Sequence, residues 1–94
     1  MKERILAEIC EERVLQDARW GGPEHDDQHT ANDWAAILIR HLGLACSDEA
    51  KVDSERYRKQ LIRLAAVAVA AIESLDREMG RVAEAGALPI GKGY

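Results

Sequence analysis

The sequence lacks phenylalanine and has only two tryptophans and two tyrosines, although 47% of its 94 residues are hydrophobic. Alanine, leucine and isoleucine therefore fill the core, as is typical of an alanine-rich helical bundle. A chain of this length fits a single domain. Because a chain of this size buries only about 60–65% of its unfolded surface, the core is expected to be modest.

Cysteine and long apolar runs are also scarce. Cys10 and Cys46 lack the C-x-x-C spacing of a zinc site, and we expect them to be reduced and buried. Residues 1–4 lead directly into an amphipathic pattern that contains acids, which is unlike a signal peptide. The apolar run at residues 64–72 is much shorter than the ~20 residues that span a bilayer. These absences predict a cytoplasmic protein that does not contact membranes.

The sequence has fewer basic than acidic residues: 13 lysines and arginines against 17 aspartates and glutamates, which gives a net charge of −4. This balance argues against a protein that binds nucleic acid through its overall electrostatic field. Basic residues concentrate at the start of the last long apolar segment, at Arg56, Arg58, Lys59 and Arg63. Either glutamates of the first segment pair with this cluster, or the cluster binds an anion.

Apolar residues recur at spacings of three and four in three segments, which predicts three main helices. The first helix covers residues 2–19. The second covers residues 30–46 and starts with a capping box whose first residue is Thr30. The third begins at Asp53 or Ser54 and runs to about Met79, where Gly80 is a candidate C-cap. Residues 81–85 either extend this helix or form a short final one.

The third helix is the most apolar element of the chain. From Leu64 to Ile72 it has no polar residue, and a helix that is apolar on all sides must be buried on all sides. We therefore predict an all-α fold, a helical bundle of three main helices in which this helix is central and lies at an oligomer interface. Residues 1–85 form one helical domain, and the glycine-rich residues 86–94 form a flexible C-terminal tail.

The segment between the first two helices, WGGPEHDDQHT, concentrates groups that can bind metals or carry out chemistry. His25, Asp26, Asp27 and His29 could converge on a divalent cation, because imidazoles and carboxylates at short spacing can share one ion. The alternative, which we favour, is a polar loop whose side chains cap helices and form turns. We expect Trp20 to anchor this loop in the core.

Three stretches carry a family resemblance: ERVLQDARWG from Glu12 to Gly21, NDWAAIL from Asn32 to Leu38, and the apolar segment from Arg58 to Asp76. Together they resemble the all-α nucleotide pyrophosphohydrolases of the MazG-like superfamily. The resemblance covers most of the chain, from Glu11 to Asp76. The sequence is similar in particular to small MazG-like proteins of actinobacteria, phages and prophages.

This resemblance implies four carboxylates around Mg²⁺, supplied as E-x-x-E by one helix and as E-x-x-D by the next. Hard cations such as Mg²⁺ need oxygen ligands, and the spacing places each pair on one helical face. The present sequence has His41-Leu42-Gly43-Leu44 and Gln60-Leu61-Ile62-Arg63 at these places, with Arg40 before the first. The resemblance therefore implies the fold without the activity, and we expect no catalytic residues, no metal and no cofactor.

The first functional hypothesis is a non-catalytic, phage- or prophage-associated protein that acts through protein–protein contacts. It would be a homo-oligomer, a dimer or a tetramer, and would also bind a protein partner. The long apolar helix supports this hypothesis, because one small domain cannot cover it.

The second hypothesis is a protein that binds a nucleotide without hydrolysing it or hydrolyses it only weakly. Arginine and histidine would replace the metal, because guanidinium groups bind phosphate through paired hydrogen bonds. Trp20 or Trp34 would stack on the base. The candidate ligand-binding residues are Trp20, Arg40, His41, Gln60 and Arg63.

The third hypothesis is a hydrolase whose active site has moved to the loop at residues 25–29, with help from Glu8 or Glu12 of the first helix. We place it last, because the loop has no recognisable arrangement of nucleophile, base and stabilising donors.

Overall fold

The computed structural model describes residues 1–84, which form five helices and no strand. Three of the helices are long, as predicted for this all-α chain. The helices, in chain order, are α1 (Lys2–Trp20), α2 (Gly22–Asp26), α3 (Ala31–Ala45), α4 (Asp48–Lys51) and α5 (Ser54–Glu84). The predicted tail, residues 86–94, lies outside the described residues, as does Ala85.

Helix α5 is the element on which the other helices pack. It has 31 residues and is therefore about 46 Å long at 1.5 Å per residue. It contacts α1, α2, α3 and α4. The prediction that the third helix is central is therefore confirmed for the single chain.

The helix boundaries follow from local hydrogen bonds. Helix α1 ends at Gly21, whose φ of 109° is left-handed and whose N–H donates to the Asp17 carbonyl over 2.9 Å. Helix α3 begins at the predicted capping box, in which the Thr30 hydroxyl accepts from the backbone N–H of Asp33. The Asp53 carboxylate accepts from two backbone N–H groups at the start of α5.

One boundary prediction is wrong: the segments predicted as loops contain the short helices α2 and α4, which begin after Gly21 and Ser47. Of the two alternatives for residues 81–85, the structure has the extension, because α5 continues past Gly80 to Glu84. A glycine inside a helix costs about 1 kcal/mol, and the contacts of Arg81 with Asp27 and Glu78 stabilise this last part of α5.

The core of the described chain consists of small side chains. The buried hydrophobic residues are Ala45, Ala50, Ala66, Val67 and Ala70, and no large side chain in residues 1–84 is fully buried. Helix α5 is therefore not buried on all sides within one chain, because its Ile72, Leu75 and Met79 are exposed.

Three residues predicted to be buried lie at the surface. Cys10, in α1, and Cys46, which follows α3, are both exposed and free. Trp20 is 56% exposed, so it does not anchor the core. Within residues 1–84, none of the helices combines the length and the apolar character that a membrane span requires.

Candidate functional site

An open cleft of about 630 Å³ lies between α1, α2, α3 and α5. All five residues predicted from the sequence to bind a ligand line this cleft: Trp20, Arg40, His41, Gln60 and Arg63. They come from three helices, so only the packing of α1 and α3 on α5 brings them together. The cleft volume is within the range of about 300–1,000 Å³ that is usual for small-molecule sites.

The charge of the cleft is opposite to that of the chain. Four guanidinium groups line it and only two carboxylates do, which gives +2 with neutral histidines, whereas the whole chain carries −4. The arginines are Arg13, Arg19, Arg40 and Arg63, and the acids are Glu12 and Asp26. A surplus of positive charge between helices favours anions.

The four arginines are not equally available. Arg13 contacts carboxylate oxygens of Asp17 at 3.0 Å and Glu73 at 3.1 Å, so its charge is already balanced. Arg19 lies over the ring of Trp20, with 5.3 Å from its Cζ to the ring centroid. No ion pair is found for Arg40 or Arg63 within the described residues.

Three buried polar atoms in the described chain lack a hydrogen-bond partner, and all three belong to residues of this cleft. They are Oδ2 of Asp26, Nδ1 of His41 and Oε1 of Gln60. A buried polar atom without a partner costs about 1–3 kcal/mol. Their concentration in one cleft is therefore the property expected of a binding site, where a ligand supplies the partners.

His41 and Asp26 have shifted pKa values because of their surroundings. Burial lowers the pKa of His41 below its usual range, and the charges of Arg40 and Arg63 lower it further, against the opposing effect of Glu12. The imidazole is therefore neutral at pH 7. Burial raises the pKa of Asp26 despite the nearby charge of Arg13.

Two tryptophans and two histidines form one end of the cleft. Trp20 stacks on His25 with ring centroids 6.1 Å apart, and the ring centroids of His29 and Trp34 are 4.8 Å apart. The two imidazole centroids are 4.9 Å apart. One ligand atom from each of His25, Asp26 and His29 lies within 4.8 Å of the others. The structure thus brings together three of the four metal candidates named from the sequence.

The fourth candidate, Asp27, is engaged elsewhere. Its carboxylate accepts from Arg77 at 2.7 Å and from the Ser74 hydroxyl at 2.9 Å, so it ties the loop to α5. The hydrogen bonds from Arg77 and Ser74 lower the pKa of Asp27 to about 2.

The basic start of α5 pairs in part with acids of the first helix, which is one of the two alternatives considered from the sequence. Arg58 forms a two-point ion pair with Glu8 of α1, outside the cleft. Arg56 and Lys59 line a second cavity of about 610 Å³, which the acids Glu49, Asp53 and Glu55 also line. The two cavities share Leu44, Gln60 and Arg63.

Arg13 and Arg19 are cleft residues that the sequence did not identify. The charge pattern of α1 predicts that Arg13 lies on a solvated face, but its side chain is only 13% exposed in the structure. The signal that could have found them is their spacing, because positions 12, 13, 16, 19 and 20 fall on adjacent faces of one helix.

No family model matches the sequence, and no curated protein or solved structure is significantly similar to it.

Proposed function

We propose that the protein is a non-catalytic helical protein that binds a phosphate-bearing ligand of nucleotide type in the cleft between α1, α2, α3 and α5. The observation that carries the proposal is the convergence of Trp20, Arg40, His41, Gln60 and Arg63 on one cleft of positive charge. The MazG-like relationship is part of this proposal and rests on the resemblance of the sequence.

The phosphate groups would bind to Arg40 and Arg63. Guanidinium groups donate paired hydrogen bonds to phosphate, and each charged hydrogen bond contributes about 1.5–3 kcal/mol. The neighbouring His41 is neutral at pH 7 because its pKa is lowered. A bound anion would offset the two arginine charges and raise that pKa, so a proton would be taken up on binding below neutral pH.

The non-phosphate part of the ligand would lie toward the tryptophan end. Trp20 and Trp34 provide aromatic surface on which a base can stack. A ligand that combines an anion with a flat ring satisfies the arginines and the tryptophans together, and a nucleotide has both.

We also propose that the protein does not hydrolyse the bound nucleotide. The cleft carries two carboxylates, Glu12 and Asp26, which come from different helices and do not form pairs at a spacing of three. A magnesium-dependent pyrophosphohydrolase of the type that the sequence resembles needs two such pairs. We therefore expect binding without Mg²⁺ and no turnover.

Thermal unfolding with nucleoside mono-, di- and triphosphates, each with and without Mg²⁺, tests the proposal. At 100 times its Kd a ligand stabilises the fold by about 2.7 kcal/mol, which raises the Tm of a small domain by about 10 °C or more. Stabilisation should not need Mg²⁺. No shift with any nucleotide, or a shift only with Mg²⁺ together with phosphate release, would contradict it.

Variants show whether the nucleotide occupies this cleft. Arg40→Ala and Arg63→Ala should each weaken binding about 10- to 150-fold, since each removes a charged hydrogen bond. The matched control is Arg4→Ala, which removes an exposed arginine of α1 outside the cleft. Equal losses in all three variants would indicate a general charge effect.

A second function, self-association, is favoured by an apolar stripe on α5. The stripe consists of Tyr57, Leu61, Ala65, Ala68, Ile72, Leu75 and Met79, which fall within an arc of about 80° at 100° per residue. All five of its large side chains are substantially exposed in the single chain. We propose that a second copy of the chain covers this α5 stripe.

The charges beside the stripe favour an antiparallel pair. Ala68 is midway between Leu61 and Leu75, so a two-fold axis at Ala68 places each leucine opposite the other residue in the second copy. Arg58 and Asp76 each follow a stripe residue by one position and therefore lie on the same edge. In this arrangement, Arg58 of one copy, which pairs with Glu8 of its own chain, also comes within reach of Asp76 of the second. The cytoplasmic location and a further protein partner remain part of this second proposal.

A further inference from the structure

The cluster of His25, Asp26 and His29 has a geometry close to that of a metal site. One ligand atom from each residue lies within 4.8 Å of the others. A tetrahedral ion with bonds of about 2.0–2.1 Å holds its ligands roughly 3.4 Å apart. Shifts of about 1 Å in the side-chain atoms would therefore bring the three ligand atoms to the spacing of a tetrahedral site.

The hydrogen bond of His29 selects a tautomer that can bind a cation. Nδ1 of His29 lies 3.0 Å from the carbonyl oxygen of Asp26, and a carbonyl can only accept, so Nδ1 carries the hydrogen. The lone pair is then on Nε2. An imidazole that donates its second N–H to a carbonyl is the usual arrangement of a metal-binding histidine.

The Asp26 carboxylate is buried and lacks sufficient partners. Asp26 is 7% exposed, and its Oδ2 has no hydrogen-bond donor. The nearest cation is Arg13, at 3.6 Å from Oδ2, and that guanidinium is already held by Asp17 and Glu73. A buried carboxylate is costly without donors or a cation. This observation is independent of the histidine geometry and also favours a cation beside Asp26.

We propose that His25, Asp26 and His29 bind a transition-metal dication of the Zn²⁺ type at the tryptophan end of the cleft. Two imidazoles and one carboxylate suit Zn²⁺ and its neighbours in the first transition row, whereas Mg²⁺ and Ca²⁺ prefer oxygen ligands alone. Three protein ligands leave a coordination position open toward the cleft. This site does not depend on nucleotide binding, so either proposal can fail alone.

The local sequence explains how three ligands fit within five positions. Gly21 and Gly22 have positive φ, and Pro23 follows them, so α2 starts directly after α1. The first imidazole then lies inside α2 and the second lies just after it. Trp20 and Trp34 contact the two imidazoles and restrict their rotation.

Titration with Zn²⁺ alone, followed by calorimetry, tests the site. The Cys10→Ser/Cys46→Ser background removes the two exposed thiols, which could otherwise bind zinc. One Zn²⁺ should bind per chain, and Co²⁺ should bind with visible d–d absorption. His29→Ala and the nearly isosteric Asp26→Asn should each weaken Zn²⁺ binding at least tenfold.

Asp48→Asn is the matched control for Asp26→Asn, because Asp48 is an exposed aspartate of α4 that lies outside both the cleft and the cluster. It should leave Zn²⁺ affinity unchanged. Circular dichroism establishes that each variant is folded, and Asp26→Asn carries the test if His29→Ala does not fold. The proposal is overturned if the background protein binds no Zn²⁺, or if Asp48→Asn weakens binding as much as the cluster variants.

Discussion

Substitution of Ile72 by lysine should separate the two copies that we propose to pair along the α5 stripe. Ile72 is 57% exposed in the single chain, and full burial of such a side chain contributes about 1.5–3 kcal/mol. Covering the exposed part therefore contributes about 0.9–1.7 kcal/mol for each copy. Each dimer contains two copies, so Ile72→Lys removes about 1.7–3.4 kcal/mol, which weakens association about 20- to 300-fold.

The single chain should tolerate this change. The lysine would lie four residues before Asp76, a favourable spacing for an ion pair on a helix, and its aliphatic stem can cover the contacts of the isoleucine. Sedimentation velocity over a concentration series measures the dissociation constant. Circular dichroism should show an unchanged helix content.

The matched control is Val52→Lys. Val52 is 86% exposed, follows α4 and lies outside the α5 stripe, so the same change there should leave association unaltered. A wild-type protein that stays monomeric at the highest concentration would refute the pairing. Equal weakening by both variants would refute the assignment of the interface to α5.

Four further predictions concern stability. Thr30→Ala removes the hydroxyl that caps α3 and should cost about 1 kcal/mol, a fall in Tm of about 4–8 °C in a thermal melt. The hydrogen bond from Arg77 lowers the pKa of Asp27 from 3.8 to about 2. The stability that this carboxylate contributes is thus complete above about pH 4 and is lost as the pH falls toward 2. Urea unfolding across this range should show the loss, and Asp27→Asn should remove that part of the pH dependence. Gly43→Ala should stabilise α3 by about 0.5–1 kcal/mol in urea unfolding, because no other atom lies within 4 Å of the added methyl group. Gly21→Ala should instead destabilise, because its φ is 109°.

Part of the cleft could be predicted from residue types alone. Arg40, His41, Gln60 and Arg63 were selected because they stand where the resemblance implies metal ligands, and the structure places them in one cleft. The contribution of Arg13 could not be predicted in the same way. Its role depends on contacts with Glu73, 60 positions away, and no local pattern encodes that distance.

The three long helices and the capping of α3 at Thr30 could be predicted from the sequence, because propensities and capping bonds act over a few neighbouring residues. The burial of individual side chains depends instead on the tertiary structure. It left Cys10 and Trp20 at the surface and extended α5 past Gly80. It also separated Asp27, which pairs with Arg77, from Asp26 in the cleft. These outcomes depend on packing between segments that are distant in the sequence. The free energy of that packing outweighs the conformational preferences of each short segment.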